Sequence, residues 1–312
     1  MTATLKAMRI PGVALIAVAA AMWGVDPILR KPIVSVDATT VVFGEHVFLV
    51  ILTLPLLLPA LRAVYRAGSR YIAAAVVVGV GASAVATILF TVALRHNFVS
   101  AVVMQKAQPL IAVIGAGAIL GERPRARFGW FLLAGLAGLW LVNQAHPLDA
   151  SAHGLVAVLE ALGAAALWAL GTVLGRFLGR ELAFEHILSL RAFFGLIGST
   201  FAVLVMNAHW YAGGRASGWI LSLALVTGLF ALALYYYGLR TTPAVLSSLA
   251  ELTNPAVLVL AGIYAYNATL TWSQWIGFAI IVAVVTLLPV QRRRVVRVAP
   301  ADARLASAPA AG

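Results

Sequence analysis

Residues 110–120 read LIAVIGAGAIL, and residues 276–288 read IGFAIIVAVVTLL. Neither run alternates apolar with polar residues, as a half-buried strand or a membrane-barrel strand would. Backbone placed in hydrocarbon must satisfy its own hydrogen bonds, and a helix does so within one segment. Working outward with the same requirement, about 20 apolar residues per span, ten stretches qualify: 11–30, 38–60, 71–94, 97–119, 127–145, 154–177, 184–206, 217–239, 244–266 and 272–290. The expected fold is an all-α polytopic membrane protein with ten transmembrane helices. Composition agrees. Apolar residues are 62% of the 312 and charged residues 10%, too little charge to cover a globule in water. The mean hydropathy is +0.99.

The chain has 22 Lys+Arg against 10 Asp+Glu, a net +12. In a soluble protein that surplus would raise nucleic-acid binding. Here the bases sit in short loops and the tail, so they report topology and no nucleic-acid partner is expected. With the N-terminus inside and ten crossings, sixteen Lys/Arg fall on the inner side and four (Arg30, Lys31, Arg95 and Arg215) on the outer side. That bias puts both termini in the cytoplasm. A cleavable signal peptide would also fit Lys6, Arg9 and Ala19-Ala20-Ala21, but the apolar segment continues past Trp23. Residues 1–10 read as a cytoplasmic N-terminus and 291–312 as a disordered basic cytoplasmic tail. With no cysteine, disulfides, zinc ribbons, iron–sulfur clusters and thiol catalysis are excluded.

The halves resemble each other. Ala20-Ala21-Met22-Trp23-Gly24 matches Ala165-Ala166-Leu167-Trp168-Ala169 at an offset of 145. Val99-Ser100-Ala101, Gln105 and Gln108-Pro109 match Val245-Leu246-Ser247, Glu251 and Asn254-Pro255 at an offset of 146. The division falls into residues 11–146 and 147–290. Five spans is an odd number, so the second unit enters the membrane inverted relative to the first. Inverted repeats are the architecture of alternating access.

Ionisable groups within spans cost roughly 2.5–3.5 kcal/mol each on insertion scales, so each needs a partner or a wet cavity. They are Asp26, Glu45, His46, Lys106, Glu160, Arg191 and Glu251. At 1.5 Å per residue, Lys106 lies about 15 Å from the outer end of its span, near the midplane, and Glu251 about 12 Å from the inner end of its own. Both precede a proline, which removes a donor and frees a carbonyl one turn earlier. A charged side chain and an unpaired carbonyl are therefore expected at Gln105–Pro109 and at Glu251–Pro255. The candidate substrate site is Gln105, Lys106, Pro109, Arg191, Glu251, Asn254 and Pro255 with Trp23 and Trp168. Glu251 is the first candidate for proton exchange, Glu45 and His46 the second. Asp26 and Glu160 read equally as acids snorkelling to the interface. Gly171, Gly175 and Gly179 form a ridge that reads as a helix-packing surface. Trp130, Trp219, Tyr235–Tyr237, Trp272 and Trp275 suit an interfacial belt, with some tyrosines free to face a cavity.

Trp23-Gly24, Pro109, Leu120-Gly121-Glu122-Arg123-Pro124 and Tyr235–Arg240 followed by Thr241-Thr242-Pro243-Ala244 resemble the EamA-type transporters of the drug/metabolite transporter superfamily. The resemblance covers about residues 12–290. It implies a ten-helix inverted-repeat carrier of small organic solutes, usually outward, across a bacterial inner membrane. Arg191 matches an arginine that the family often carries in the second helix of a repeat. Two departures stand out: Glu45-His46 where an arginine would be usual, and Tyr266-Asn267-Ala268-Thr269 where a Gly-Glu turn would be usual. An acid in span 2 leaves open a cationic or proton-coupled solute. The expected partners are a small-molecule substrate and the lipid bilayer, with a homodimer left open; no cofactor and no metal are implied. A membrane-embedded enzyme acting on a lipid or small solute is the alternative class. It would need a nucleophile–base pair or metal ligands at membrane depth, and neither His-Glu-x-x-His nor Gly-x-Ser-x-Gly occurs.

Overall fold

The computed structural model describes residues 11–96, 107–122, 126–142, 152–254, 256–257, 260 and 271–287. Among the described residues all regular structure is helical. Six helical stretches are long and apolar enough to cross a membrane: Gly12–Ile33, Ala38–Ala67, Ser69–Ala93, Leu155–Leu178, Phe184–Met206 and Gly214–Leu239. Three shorter apolar helices, Ile111–Leu120, Gly129–Gly138 and Trp275–Val284, belong to the fourth, fifth and tenth predicted spans. These three spans and the ninth are described in part. The expected N-terminal segment and basic tail lie outside the described residues.

The first predicted span comes in two pieces. Helix α1 (Gly12–Gly24) ends where Val25 N–H turns back to Met22 O, and α2 (Asp26–Arg30) follows at once. Pro27 sits in the first turn of α2, where no backbone donor is required. Asp37 then starts α3 (Ala38–Ala67), its carboxylate accepting from Thr39 N at 2.8 Å and Thr40 N at 3.4 Å. The expected end near residue 60 is corrected to Ala67. Pro55 and Pro59 interrupt single hydrogen bonds only, and the chain does not turn until Gly68, at φ 106°.

The third span is α4 (Ser69–Val76), a π-helical stretch Val77–Val85 and α5 (Ala86–His96). Then come α6 (Gln108–Gly115) with a π-helical end Ala116–Leu120, α7 (Ala126–Val142), α8 (Ala152–Leu178) and α9 (Phe184–Met206). The eighth span again has a π-helical centre, Ala224–Phe230, between α10 (Gly214–Leu223) and α11 (Ala231–Leu239). The π stretches of the third and eighth spans end at Val85 and Phe230, 145 positions apart. The ninth span opens with α12 (Ala244–Ala250) and breaks at Glu251–Leu252, within the stretch where Pro255 is expected to disturb the helix; α13 (Trp272–Leu287) is the last helix described.

Directions follow from end contacts. Gly12, at the start of α1, lies against Gly238 and Thr241 beyond the end of α11, so close that a Cβ there would overlap the Thr241 and Thr242 hydroxyls. Near the end of α8, Arg176 donates to the carbonyls of Leu239 at 2.7 Å and Arg240 at 2.6 Å. The start of α1 and the end of α8 thus share one end of the bundle, and the two helices run antiparallel. At the other end, His96 pairs with Glu160 at 2.8 Å; this acid is paired rather than merely snorkelling. The core between these ends is built on Ile16, Leu178, Ile187, Leu190, Tyr236, Leu249 and Ile281, all fully buried. Tyr235 and Tyr236 are buried too, while Tyr237, Trp130 and Trp272 are exposed as a belt requires. On α8, Gly171 packs against Ala82 and Gly175 against Tyr236.

Candidate functional site

A chamber of about 290 Å³ lies between the helices. It reaches from Asp26 and Arg30, both partly exposed, to Glu251 and Leu252 in mid-bundle. Trp23, Glu45, His46, Pro109, Trp168, Arg191, Glu251 and Asn254 of the predicted site all line it. Gln105, Lys106 and Pro255 lie outside the described residues.

Glu251 stands at the break in the ninth span and receives donors from three other helices. Gln108 Nε2 donates to Oε2 at 2.6 Å. Tyr235 Oη donates to Oε1 at 2.9 Å and Thr172 Oγ1 to the same oxygen at 3.3 Å. The expected free carbonyl is not there: Asn254 N donates to Glu251 O at 3.0 Å, closing a tight turn instead. Sequence reasoning missed Gln108 and Thr172 as partners. The signal for Gln108 was its place beside Pro109, where the new helix α6 begins.

Among the described residues Arg191 is held by neutral acceptors. Nη1 donates to Tyr236 Oη at 3.1 Å and Nη2 to Ala82 O at 3.2 Å, while the buried Nε–H has no acceptor among the described residues. One turn further along α9, Gly195 faces His46, and a Cβ there would collide with the imidazole. His46 Nδ1 lies 2.7 Å from Val42 O and Nε2 2.9 Å from Ser83 Oγ. A carbonyl only accepts, so Nδ1 carries the proton, and the ring is satisfied as a neutral imidazole taking the Ser83 hydroxyl at Nε2. Glu45 and His46, adjacent in sequence, point to different partners. Glu45 meets Arg30 at 3.4 Å, and Arg30 also binds Asp26 at 2.5 Å. Asp26 is therefore a paired acid, and Arg30, counted from the sequence as an outer-loop base, belongs to the chamber.

Four aromatic rings complete the walls as two crossed pairs. Trp23 packs on Tyr235 at 5.2 Å between centroids, and Phe90 on Trp168 at 5.3 Å. Trp23 and Trp168 are 145 positions apart, and so are Phe90 and Tyr235. Each pair joins one ring from each half of the chain. No group of three or more His, Asp or Glu side chains able to hold a metal occurs among the described residues.

Beyond the chamber, at the end bearing Gly12, the halves are tied together. Glu122 Oε1 lies 3.8 Å from Arg176 Nε, and Glu122 Oε2 accepts from Val245 N at 3.4 Å. Arg180 Nη2 donates to Leu120 O at 3.3 Å.

Six membrane-length apolar helices among the described residues, aromatic positions at a constant offset and polar groups converging on one chamber describe a multi-pass membrane protein. The EamA-like transporter family model matches the chain twice, over residues 10–144 and 155–289. The chain belongs to this family. It is 28% identical over 262 residues to the protein named riboflavin transporter ImpX of Fusobacterium nucleatum subsp. nucleatum, covering 79% of this chain and 87% of that one. It is 26% identical over 184 residues to the uncharacterized transporter YwfM of Bacillus subtilis, covering 58% of this chain and 61% of that one. A protein crystal structure superposes with a TM-score of 0.70 at 18% identity, over 88% of this chain and 95% of the other, a likeness of fold alone. Family and relatives together support small solutes as the cargo.

Proposed function

We propose that the protein is a secondary active carrier that moves a small organic solute across the bacterial inner membrane by alternating access. Ten spans in two inverted five-helix units, 11–146 and 147–290, rock about the chamber, with both termini in the cytoplasm. Outward movement is the direction that the family resemblance implies. Gln105, Lys106, Pro109, Arg191, Glu251, Asn254, Pro255, Trp23 and Trp168 bind the solute, and Glu251 exchanges a proton during the cycle. The observation that carries this reading is the Gln108–Glu251 hydrogen bond, which links a carboxyl of one unit to a side chain of the other. A charge-assisted bond is about twice as strong as a neutral one. Protonating Glu251 weakens that link, which is how a proton is made to favour relative movement of the units. The ties of Glu122 and Arg176 close the chamber toward the end bearing Gly12, as one state of such a cycle requires.

Purified protein in liposomes tests the proposal. Riboflavin, the cargo in the name of one relative, is the first solute to try. The expected result is saturable counterflow with the solute chemically unchanged. Conversion of the solute, or no counterflow of any compound in a broad metabolite panel, overturns it.

A further inference from the structure

The two tryptophans of the chamber are not equivalent. Trp23 Nε1 donates to Thr227 O at 2.9 Å. The same offset of 145 that relates Trp23 to Trp168 relates Thr227 to Ala82. The matching bond would run from Trp168 Nε1 to Ala82 O, but that carbonyl receives Arg191 Nη2 at 3.2 Å. The Trp168 indole N–H has no acceptor among the described residues, although the residue lines the chamber. Arg191 has five N–H groups, and its two hydrogen bonds, to Tyr236 and Ala82, leave three without an acceptor among the described residues. Trp168 and Arg191 both lie on this chamber, so it holds a surplus of donors.

Each of the chamber's acids already has a partner. Asp26 and Glu45 are taken by Arg30, and Glu251 by Gln108, Tyr235 and Thr172. Three acids face two arginines, and counting Lys106 of the expected site only brings the charges level, so no positive excess awaits an anionic solute. A cation would face Arg191 and the donors that surround Glu251. Burying either charge without a partner is costly. The walls are aromatic and favour a flat ring.

We propose that Trp168 and Arg191 form the recognition edge of the chamber, and that the solute is an uncharged, planar heteroaromatic compound presenting neighbouring acceptors, ring carbonyls or ring nitrogens, to that edge. The proposal rests on the carrier reading above and names the chemistry of its substrate site. Lumazine in its uncharged form, a two-ring compound with two carbonyls, is the probe. Its ring-carboxylated analogue and the N-methylquinolinium cation are the charged counterparts.

Calorimetric titration of the purified full chain in detergent reads binding without requiring transport. Lumazine should bind at least tenfold more tightly than either charged compound. Trp168→Phe keeps the ring and removes the donor, and should weaken lumazine about 5–10-fold, the size of one hydrogen bond. Arg191→Gln should weaken it at least as much. Equal or tighter binding of a charged compound, no binding of lumazine, or full-strength lumazine binding by either variant overturns the proposal. Should Trp168→Phe fail to fold, Arg191→Gln decides the same point. If the wild type prefers a charged compound yet gives counterflow of it, the carrier reading stands and only this inference falls. If lumazine binds as expected but no compound gives counterflow, the reverse holds.

Discussion

Gln108 and Glu251, 143 positions apart in sequence, meet at 2.6 Å inside the bundle. The bond joins the start of α6 to the break after α12, so Gln108 sits at a helix start and Glu251 at a helix end. Interrupted helices at membrane depth are tolerated where the freed backbone lines a cavity. Here a turn at Glu251 and a helix start at Gln108 aim two polar side chains into the same space.

Removing that bond should be felt in stability before it is felt in function. Gln108→Ala is expected to cost about 1.5–3 kcal/mol, the range for hydrogen bonds to charged groups. Thermal unfolding in detergent measures it, and the loss should shrink in a Glu251→Gln background. Equal losses in both backgrounds would mean that the two residues are not energetically coupled.

Glu251→Gln keeps the shape and the ability to accept from Tyr235 and Thr172 but cannot exchange a proton. Counterflow should persist in this variant, while accumulation driven by a pH gradient disappears and the pH profile of transport flattens. An unchanged pH profile would remove Glu251 from the coupling step.

Gly195→Ala places a methyl group where the His46 ring lies. The clash is with a side chain locked by Val42 O and Ser83 Oγ, so it cannot relax by a rotamer change alone. Overpacking of this kind costs about 1–3 kcal/mol. The penalty should be smaller when His46→Ala is introduced first, and a double-mutant cycle on melting temperatures reads the difference.

Because the chain has no native cysteine, single thiols report access cleanly. Thr172→Cys, at the wall of the chamber, should react with a membrane-impermeant reagent from the side of Arg30. Adding Glu122→Ala removes the contacts to Arg176 and Val245 N. Loss of about 1 kcal/mol at this partly exposed tie should raise labelling from the opposite side about fivefold.

The fold class was legible because continuous apolarity leaves few options in hydrocarbon, and the resemblance carried by Trp23-Gly24, the Gly121-Glu122 turn and Thr242-Pro243-Ala244 is borne out by the family match. Arg191 and Glu251 were legible as chamber groups because an isolated charge inside a span needs a reason. Their partners were not. Gln108, Thr172 and Ser83 are ordinary polar residues whose role depends on which helices touch. Tyr235 and Tyr236 sit in a run of three tyrosines, and only packing separates the two buried ones from the exposed Tyr237. Arg30 was counted with the outer bases because it stands at the end of its span. The step at Val25 and the restart at Asp26 carry its side chain back over Glu45.

The oxygen of Ala82 takes a guanidinium where its counterpart at Thr227 takes an indole. A doubled scaffold thereby acquires two unlike walls, one with its tryptophan tethered and one with its tryptophan free, while the helices stay alike. On the proposal above, cargo preference turns on position 191, where the second half of the chain supplies a guanidinium that the first half does not match.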